Sequence, residues 1–192
     1  GIQTFNTNAQ ALAGTISIPS VTVTGVTLTN NGTLTVGTAL AGTGGLTNAA
    51  TCTLNLGGTS GITTLTAIAA DNIVNYTGTA TFTTTVHSNN YFNLTLSGSG
   101  AKTLQAGTTA IGGTLALSGT ATAALVANVS IGADLTIGTG TQLDLASYIA
   151  DRSTPGGTLT VAGALLVGGT SNFPTNYTTF TNTGGTVNYN RA

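Results

Sequence analysis

The sequence predicts an all-β, single-domain β-solenoid (a parallel β-helix) with turns of about twenty residues, and three observations carry that prediction. The first is a pair of apolar residues flanking one mostly polar residue, repeated at near-constant spacing. It reads Leu34-Thr35-Val36, Leu54-Asn55-Leu56, Val74-Asn75-Tyr76, Leu94-Thr95-Leu96, Leu115-Ala116-Leu117, Leu135-Thr136-Ile137 and Leu159-Thr160-Val161. Side chains alternate along a strand, so each triplet turns two apolar groups inward and one group outward. The second is a column of small residues behind the triplets, with Gly58, Gly78, Gly98, Gly119 and Gly163 at one phase, which marks a turn repeated at one corner of a coil. The third is composition: β-branched residues abound, while Glu, Met and Trp are absent and Lys and Arg total three. A β-sandwich is the competing architecture, since short strands at regular intervals also suit it, but a sandwich has no need of glycines held in phase.

Taken in chain order, residues 1–23 read as an N-terminal arm or strand and 24–192 as the solenoid. Within the arm, Ile16, Ile18, Val21 and Val23 alternate with Thr and Ser around Pro19, which reads as a strand pair broken at the proline. Between the triplets runs a second apolar set, Leu46, Leu65, Val86, Leu104, Leu125, Leu145, Val167 and Val187, so each turn carries at least two short strands. The register stretches once, where residues 148–155 read as a loop protruding before Leu159. Near the C-terminus, Phe180 and Val187 fall close to the positions of one further turn, and Thr186-Val187-Asn188-Tyr189-Asn190 repeats the strand type of Ile73-Val74-Asn75-Tyr76-Thr77.

Charge narrows the function classes. Lys102, Arg152 and Arg191 stand against Asp71, Asp134, Asp144 and Asp151, a net charge of −1 that gives no field to hold nucleic acid. No apolar run reaches the roughly eighteen residues of a membrane-spanning helix, so membrane insertion is not expected. Cys52 is the sole cysteine and falls on the inward parity, where a thiol acts as a small hydrophobe. A first residue of Gly rather than Met reads as a mature exported chain, extracellular or at the cell surface.

Catalytic chemistry is sparse in the sequence. His87, the single histidine, reads as a solvated turn residue in Val86-His87-Ser88. Asp134 and Asp144 stand ten residues apart on different strands and read as solvent-facing positions rather than as a glycosidase-type acid pair. Four scattered carboxylates do not make a calcium-binding repeat, and the glycine-rich runs lack a phosphate loop's lysine and helix. The expectation is therefore no enzyme, no catalytic or metal site and no cofactor. The pairs Thr33/Thr35, Thr53/Asn55, Asn93/Thr95 and Thr158/Thr160 form a partial outward ladder, interrupted by Ile73, Ala116 and Asp134. Such a ladder is the basis of an alternative function, an ice-binding protein or a polysaccharide-binding adhesin module.

The runs Asn72-Ile73-Val74-Asn75-Tyr76-Thr77-Gly78, Tyr91-Phe92-Asn93-Leu94-Thr95-Leu96-Ser97-Gly98-Ser99-Gly100-Ala101-Lys102-Thr103-Leu104 and Gly156-Gly157-Thr158-Leu159-Thr160-Val161-Ala162-Gly163 resemble the β-strand-repeat segments of large secreted bacterial surface and adhesin-like proteins. The resemblance covers roughly residues 70–190 and implies extracellular architecture without naming active residues. Members of that family are usually far longer and carry a sorting or anchoring domain; if 192 residues are the whole mature chain, a subunit is implied rather than a stalk segment.

A bare solenoid end exposes an apolar layer and a row of unpaired backbone groups. Burial of one Leu or Val is worth about 1.5–3 kcal/mol, so an end layer of several such groups is expensive to leave wet. With no cap legible at either end, the expected partner is another copy of the chain, in a homopolymer that assembles head to tail into an extracellular filament, with extracellular polysaccharide as a further candidate partner. Residues 1–23, through Ile16, Ile18, Val21 and Val23, are the expected donor strand, and Phe180, Val187 and Tyr189 mark the expected acceptor turn.

Overall fold

Every triplet lies in a strand, that of Leu34 within the long Thr27–Asn48, and together the triplets build one continuous parallel sheet. The structure, a computed structural model, describes residues 1–79, 84, 85, 87, 89–170 and 172–189; Val86, Ser88, Asn190 and Arg191 lie outside them. The first face runs in register through Ile16, Leu34, Leu54, Val74, Leu94, Leu115, Leu135, Leu159 and Phe180, one residue from each of nine turns. A parallel column starts at Ile18 and passes through Val36, Leu56, Tyr76, Leu96, Leu117, Ile137 and Val161. At about 4.8 Å per strand, nine turns place the first and last strands of this face about 38 Å apart.

After each first-face strand the chain turns onto a second face, where Ser99–Thr103, Thr120–Ala124, Gln142–Asp144, Ala164–Leu166 and Thr186–Asn188 stack in parallel. A third face closes the coil, with Ala110–Ile111, Val129–Ile131 and Ala150–Arg152 paired and with Tyr91 bridging Ala67 to Ile111. All ladders are parallel, so the architecture is the solenoid and not the sandwich. Glycine has a physical reason at the corner between the first and second faces. Gly98 and Gly119 adopt φ of +72° and +68°, and a Cβ on Gly119 would lie 2.4 Å from the Gly98 carbonyl oxygen. A side chain there would meet both a disfavoured backbone conformation and the turn beneath.

Four details differ from the sequence reading. Residues 1–23 are not a free arm. The strand Gln10–Val23 runs in register with Thr27–Asn48 and makes the first turn of the coil, and Ile2–Phe5 pairs with its residues 20–23. Pro19 sits where the register shifts, between Ile18 and Ser20, at the corner where a missing amide hydrogen costs no ladder bond. Val187 lies over Leu165, one column away from Val167. The stretch 148–155 is only partly a loop: Ala150–Arg152 is a third-face strand, and the excursion narrows to the residues that follow it.

His87 is the fourth. Instead of a solvated turn it reaches inward: its Nε2 lies 2.7 Å from the Ile62 carbonyl oxygen, and its amide donates to the Tyr76 hydroxyl at 2.8 Å. Cys52 is buried as expected, with its Sγ 3.4 Å from the Ala50 carbonyl oxygen. At a corner of the early turns an asparagine ladder satisfies the backbone. Asn30 donates to Asn48 Oδ1 at 2.7 Å, Asn48 to the carbonyls of Cys52 and Ile73, and Asn72 to the carbonyl of Asn48. Buried amides of this kind are tolerated where their partners are in place, as at Asn30 and Asn48, whereas the buried Asn72 Oδ1 has no hydrogen-bond partner among the described residues.

Candidate functional site

The two end turns gather the residues that the sequence singled out for assembly. At the C-terminal end, Tyr177–Asn182 lies on Gly156–Val161, and Phe180 continues the column above Leu159. Leu159 is 1% exposed whereas Phe180 is 51% exposed. On the second face Val187 stands over Leu165. The Val167 amide donates to the Asn188 carbonyl, as the Leu145 amide does to Leu166 one turn below, and this spacing sets Tyr189 over Val167. Phe180, Val187 and Tyr189 thus each extend a different apolar column into the last turn.

The sequence reading missed a fourth member of this layer. Phe173 packs edge-on against Phe180, with centroids 5.7 Å apart, and stacks on Tyr189 at 6.4 Å. Its segment is fixed by Asn172, which donates from Nδ2 to the carbonyls of Ala146 and Tyr148 and accepts the Gly169 amide at Oδ1. The legible signal was the crowding of Phe173, Tyr177, Phe180 and Tyr189 into the last twenty residues of a chain with ten Phe and Tyr in all. The Tyr177 hydroxyl donates to the Ala150 carbonyl, and burial first, then the carboxylates of Asp151 and Asp134, push its pKa up against the opposing Arg152.

At the N-terminal end the four expected donor residues do not share one environment. Val21 and Val23 are fully buried beside the paired strand Ile2–Phe5, and the Thr24 amide donates to the Phe5 carbonyl. Ile16 and Ile18 lie on the outermost first-face strand, Ile18 buried and Ile16 half-buried. Ile16, in the Phe180 column, is the first member of that column as Phe180 is the last.

The outward ladder is fuller than the sequence reading gave. Thr15, Thr33, Thr53, Thr114, Thr158 and Thr179 share one outward column and Ser17, Thr35, Thr95, Thr136, Thr160 and Thr181 the other. Ile73, Asn93 and Asp134 interrupt the first column and Asn55, Asn75 and Ala116 the second. Part of it is tied up within the protein: Asn75 donates to Asn55, Asn55 to Thr35, and Ser97 to Asn75.

Asp134 and Asp144 sit on different faces, and each accepts a backbone amide, from Thr158 and Ala146 respectively, which is a structural use. Among the described residues, no three of His, Cys, Asp and Glu gather closely enough to hold a metal ion. No helix among them is long and apolar enough to cross a membrane. In comparisons with protein-family models, curated proteins and solved structures, the chain matches none.

Proposed function

We propose that the protein is the structural subunit of an extracellular filament or surface fibre that grows head to tail by stacking solenoid ends. The observation that carries this reading is the column Leu135–Leu159–Phe180. Its inner members are sealed by the turn above, while Phe180 has its backbone paired on one side and its ring half in solvent. A strand that continues the column supplies both missing parts, the ladder bonds and the apolar cover. Ile16 on the outermost N-terminal strand has the matching pattern, since it already heads the same column. Contact between unlike ends does not close on itself, so it propagates. Low charge and the resemblance to surface-protein repeats support an exterior location and a non-enzymatic role.

Electron microscopy of the purified chain tests the proposal. Filaments are expected from the native sequence, and Phe180→Lys, which places a charge on the open edge, is expected to abolish them. A native chain that stays monomeric at high concentration overturns it. The alternative, an ice- or polysaccharide-binding face built on the Thr columns, has the longer ladder in its favour and the breaks at Ile73, Ala116 and Asp134 against it. Thermal hysteresis that disappears when Thr158 and Thr160 are made bulky would reverse the ranking.

A further inference from the structure

The two ends do not fit together as they stand. Each of the nine turns contributes one first-face strand and one passage along the second face, but the second face carries one more, Ile2–Phe5, laid beneath residues 20–23 before the first turn begins. At the other end the last described strand, Thr186–Asn188, also lies on the second face. If a second copy stacks so that its Gln10–Val23 strand lies directly on Tyr177–Asn182, its Ile2–Phe5 falls on the place that Thr186–Asn188 already holds. One of the two strands must leave, or a gap one strand deep opens in the first face.

Resting on the filament reading above, we infer that Ile2–Phe5 is a displaceable plug: it covers the first turn of the free chain and is replaced there by Thr186–Asn188 of a second copy. The side-chain pattern says which strand yields. Gln3 pairs with Val21 and therefore takes the core-facing side, whereas Ile2 pairs with Ser20 on the outer side and is 69% exposed. At Gln3 and Ile2, polar in and apolar out is the reverse of what this position asks for, and Gln3 is itself exposed, while Thr4 and Phe5 keep the expected alternation. Thr186–Asn188 fits: Val187 is on the core side above Leu165, and the turn leading into it is pinned by Asn182 Oδ1, which accepts the amides of Gly184 and Gly185. Phe5 alone anchors the plug against the core.

The full-length double variant Thr4→Cys/Thr22→Cys tests this, since the two positions are in register on the outer side of adjacent strands. Oxidised, the plug is fixed to its own chain, and elongation followed by light scattering is expected to slow at least tenfold; reduction of the same sample restores the native rate. Phe5→Asp, which loosens the plug, is expected to elongate at least tenfold faster. Axial repeat is an independent reading: displacement gives about 43 Å per subunit, nine strand spacings, whereas a retained plug with its gap gives about 48 Å. Equal rates for oxidised and reduced chains, or the longer repeat, would overturn the displacement and leave the filament standing. If the native chain does not elongate, the filament reading fails and the plug with it.

Discussion

The turn that holds Tyr76 and the turns that hold Leu115 and Leu135 do the same structural job with different interiors. Between Leu115 and Ile137 the inward positions are aliphatic: Leu115, Leu117, Leu125, Val129, Ile131 and Leu135 are at most 2% exposed. Around Tyr76 the coil encloses polar atoms instead. The hydroxyls of Tyr76 and Tyr91 are 3.0 Å apart, Tyr91 donates to the His87 carbonyl at 2.7 Å, and the Lys102 ammonium donates to the carbonyls of Gly78 and Ser99. Because a solenoid turn packs only against its neighbours, one turn can replace apolar packing by an internal network without disturbing turns further along. Its tyrosine hydroxyls and the Lys102 ammonium are hydrogen-bonded, while His87 Nδ1 is buried without a partner among the described residues, so the network is only partly satisfied.

The largest expected effect lies in the aliphatic half. Leu135 is fully buried between Leu115 and Leu159, in columns that a shorter side chain cannot refill. Leu135→Ala should cost about 2–5 kcal/mol by urea titration. A loss under 1 kcal/mol would mean that the turns adjust to voids, and the contrast between the two halves would collapse.

A smaller loss is expected from the polar turn. Tyr76→Phe keeps the ring and removes the oxygen that accepts the His87 amide, so about 1–3 kcal/mol should be lost. Its pH dependence is more diagnostic than its size. Burial pushes the Tyr76 phenol up to about 12 and raises Tyr91 as well. The unfolded chain releases these protons near pH 10 while the folded chain keeps them, so stability is whole below about pH 10 and falls as pH climbs toward 12. Unfolding midpoints measured from pH 8 to 11.5 should drop steeply for the native chain and less steeply for Tyr76→Phe. Parallel curves would show that the phenol is not buried.

The same contrast explains what was legible in the sequence. Seven triplets at fixed phase were visible because columns of identical shape must repeat in order to stack, and each lies where its spacing put it. The first turn was read as an arm because Gln10–Val23 lacks the glycine signal and is broken by Pro19, although its Ile16-Ser17-Ile18 is a triplet like the others. The inward course of His87 is not legible, because one polar residue in a Ser- and Asn-rich stretch carries no period; its backbone is held by the hydroxyls of Tyr76 and Tyr91, 11 residues before it and 4 after it, and its Nε2 reaches the Ile62 carbonyl oxygen. At the ends, Phe180, Val187 and Tyr189 were recognisable from pattern, but Phe173 belongs to no column and reached the layer through a turn fixed by Asn172. That Ile2–Phe5 and Thr186–Asn188 both lie on the second face was beyond reach of the sequence, because neither carries the period of the triplets.

The smallest expected effect falls on Lys102. It occupies the core-facing position paired with Ala123, whose small side chain leaves room for the lysine stem, and it is 1% exposed. Desolvation lowers its pKa, which means the folded state holds the ammonium less willingly than the unfolded state does. Stability therefore rises with pH between that lowered value and about 10.4, the opposite direction to the tyrosines. Lys102→Met keeps the stem length and removes the charge; the Gly78 carbonyl still receives the Ser99 amide at 3.2 Å. Exchange of a buried cation for a hydrophobe of similar volume is often neutral or favourable, so a change within about 1 kcal/mol at pH 7 is expected. The native chain should gain stability as pH rises from that lowered value toward about 10.4, and Lys102→Met should lack that gain. A loss of 3 kcal/mol or more at pH 7 would instead make the ammonium the clamp that holds the Gly78 and Ser99 corners together, and the polar turn would then depend on a charge rather than on its hydroxyls.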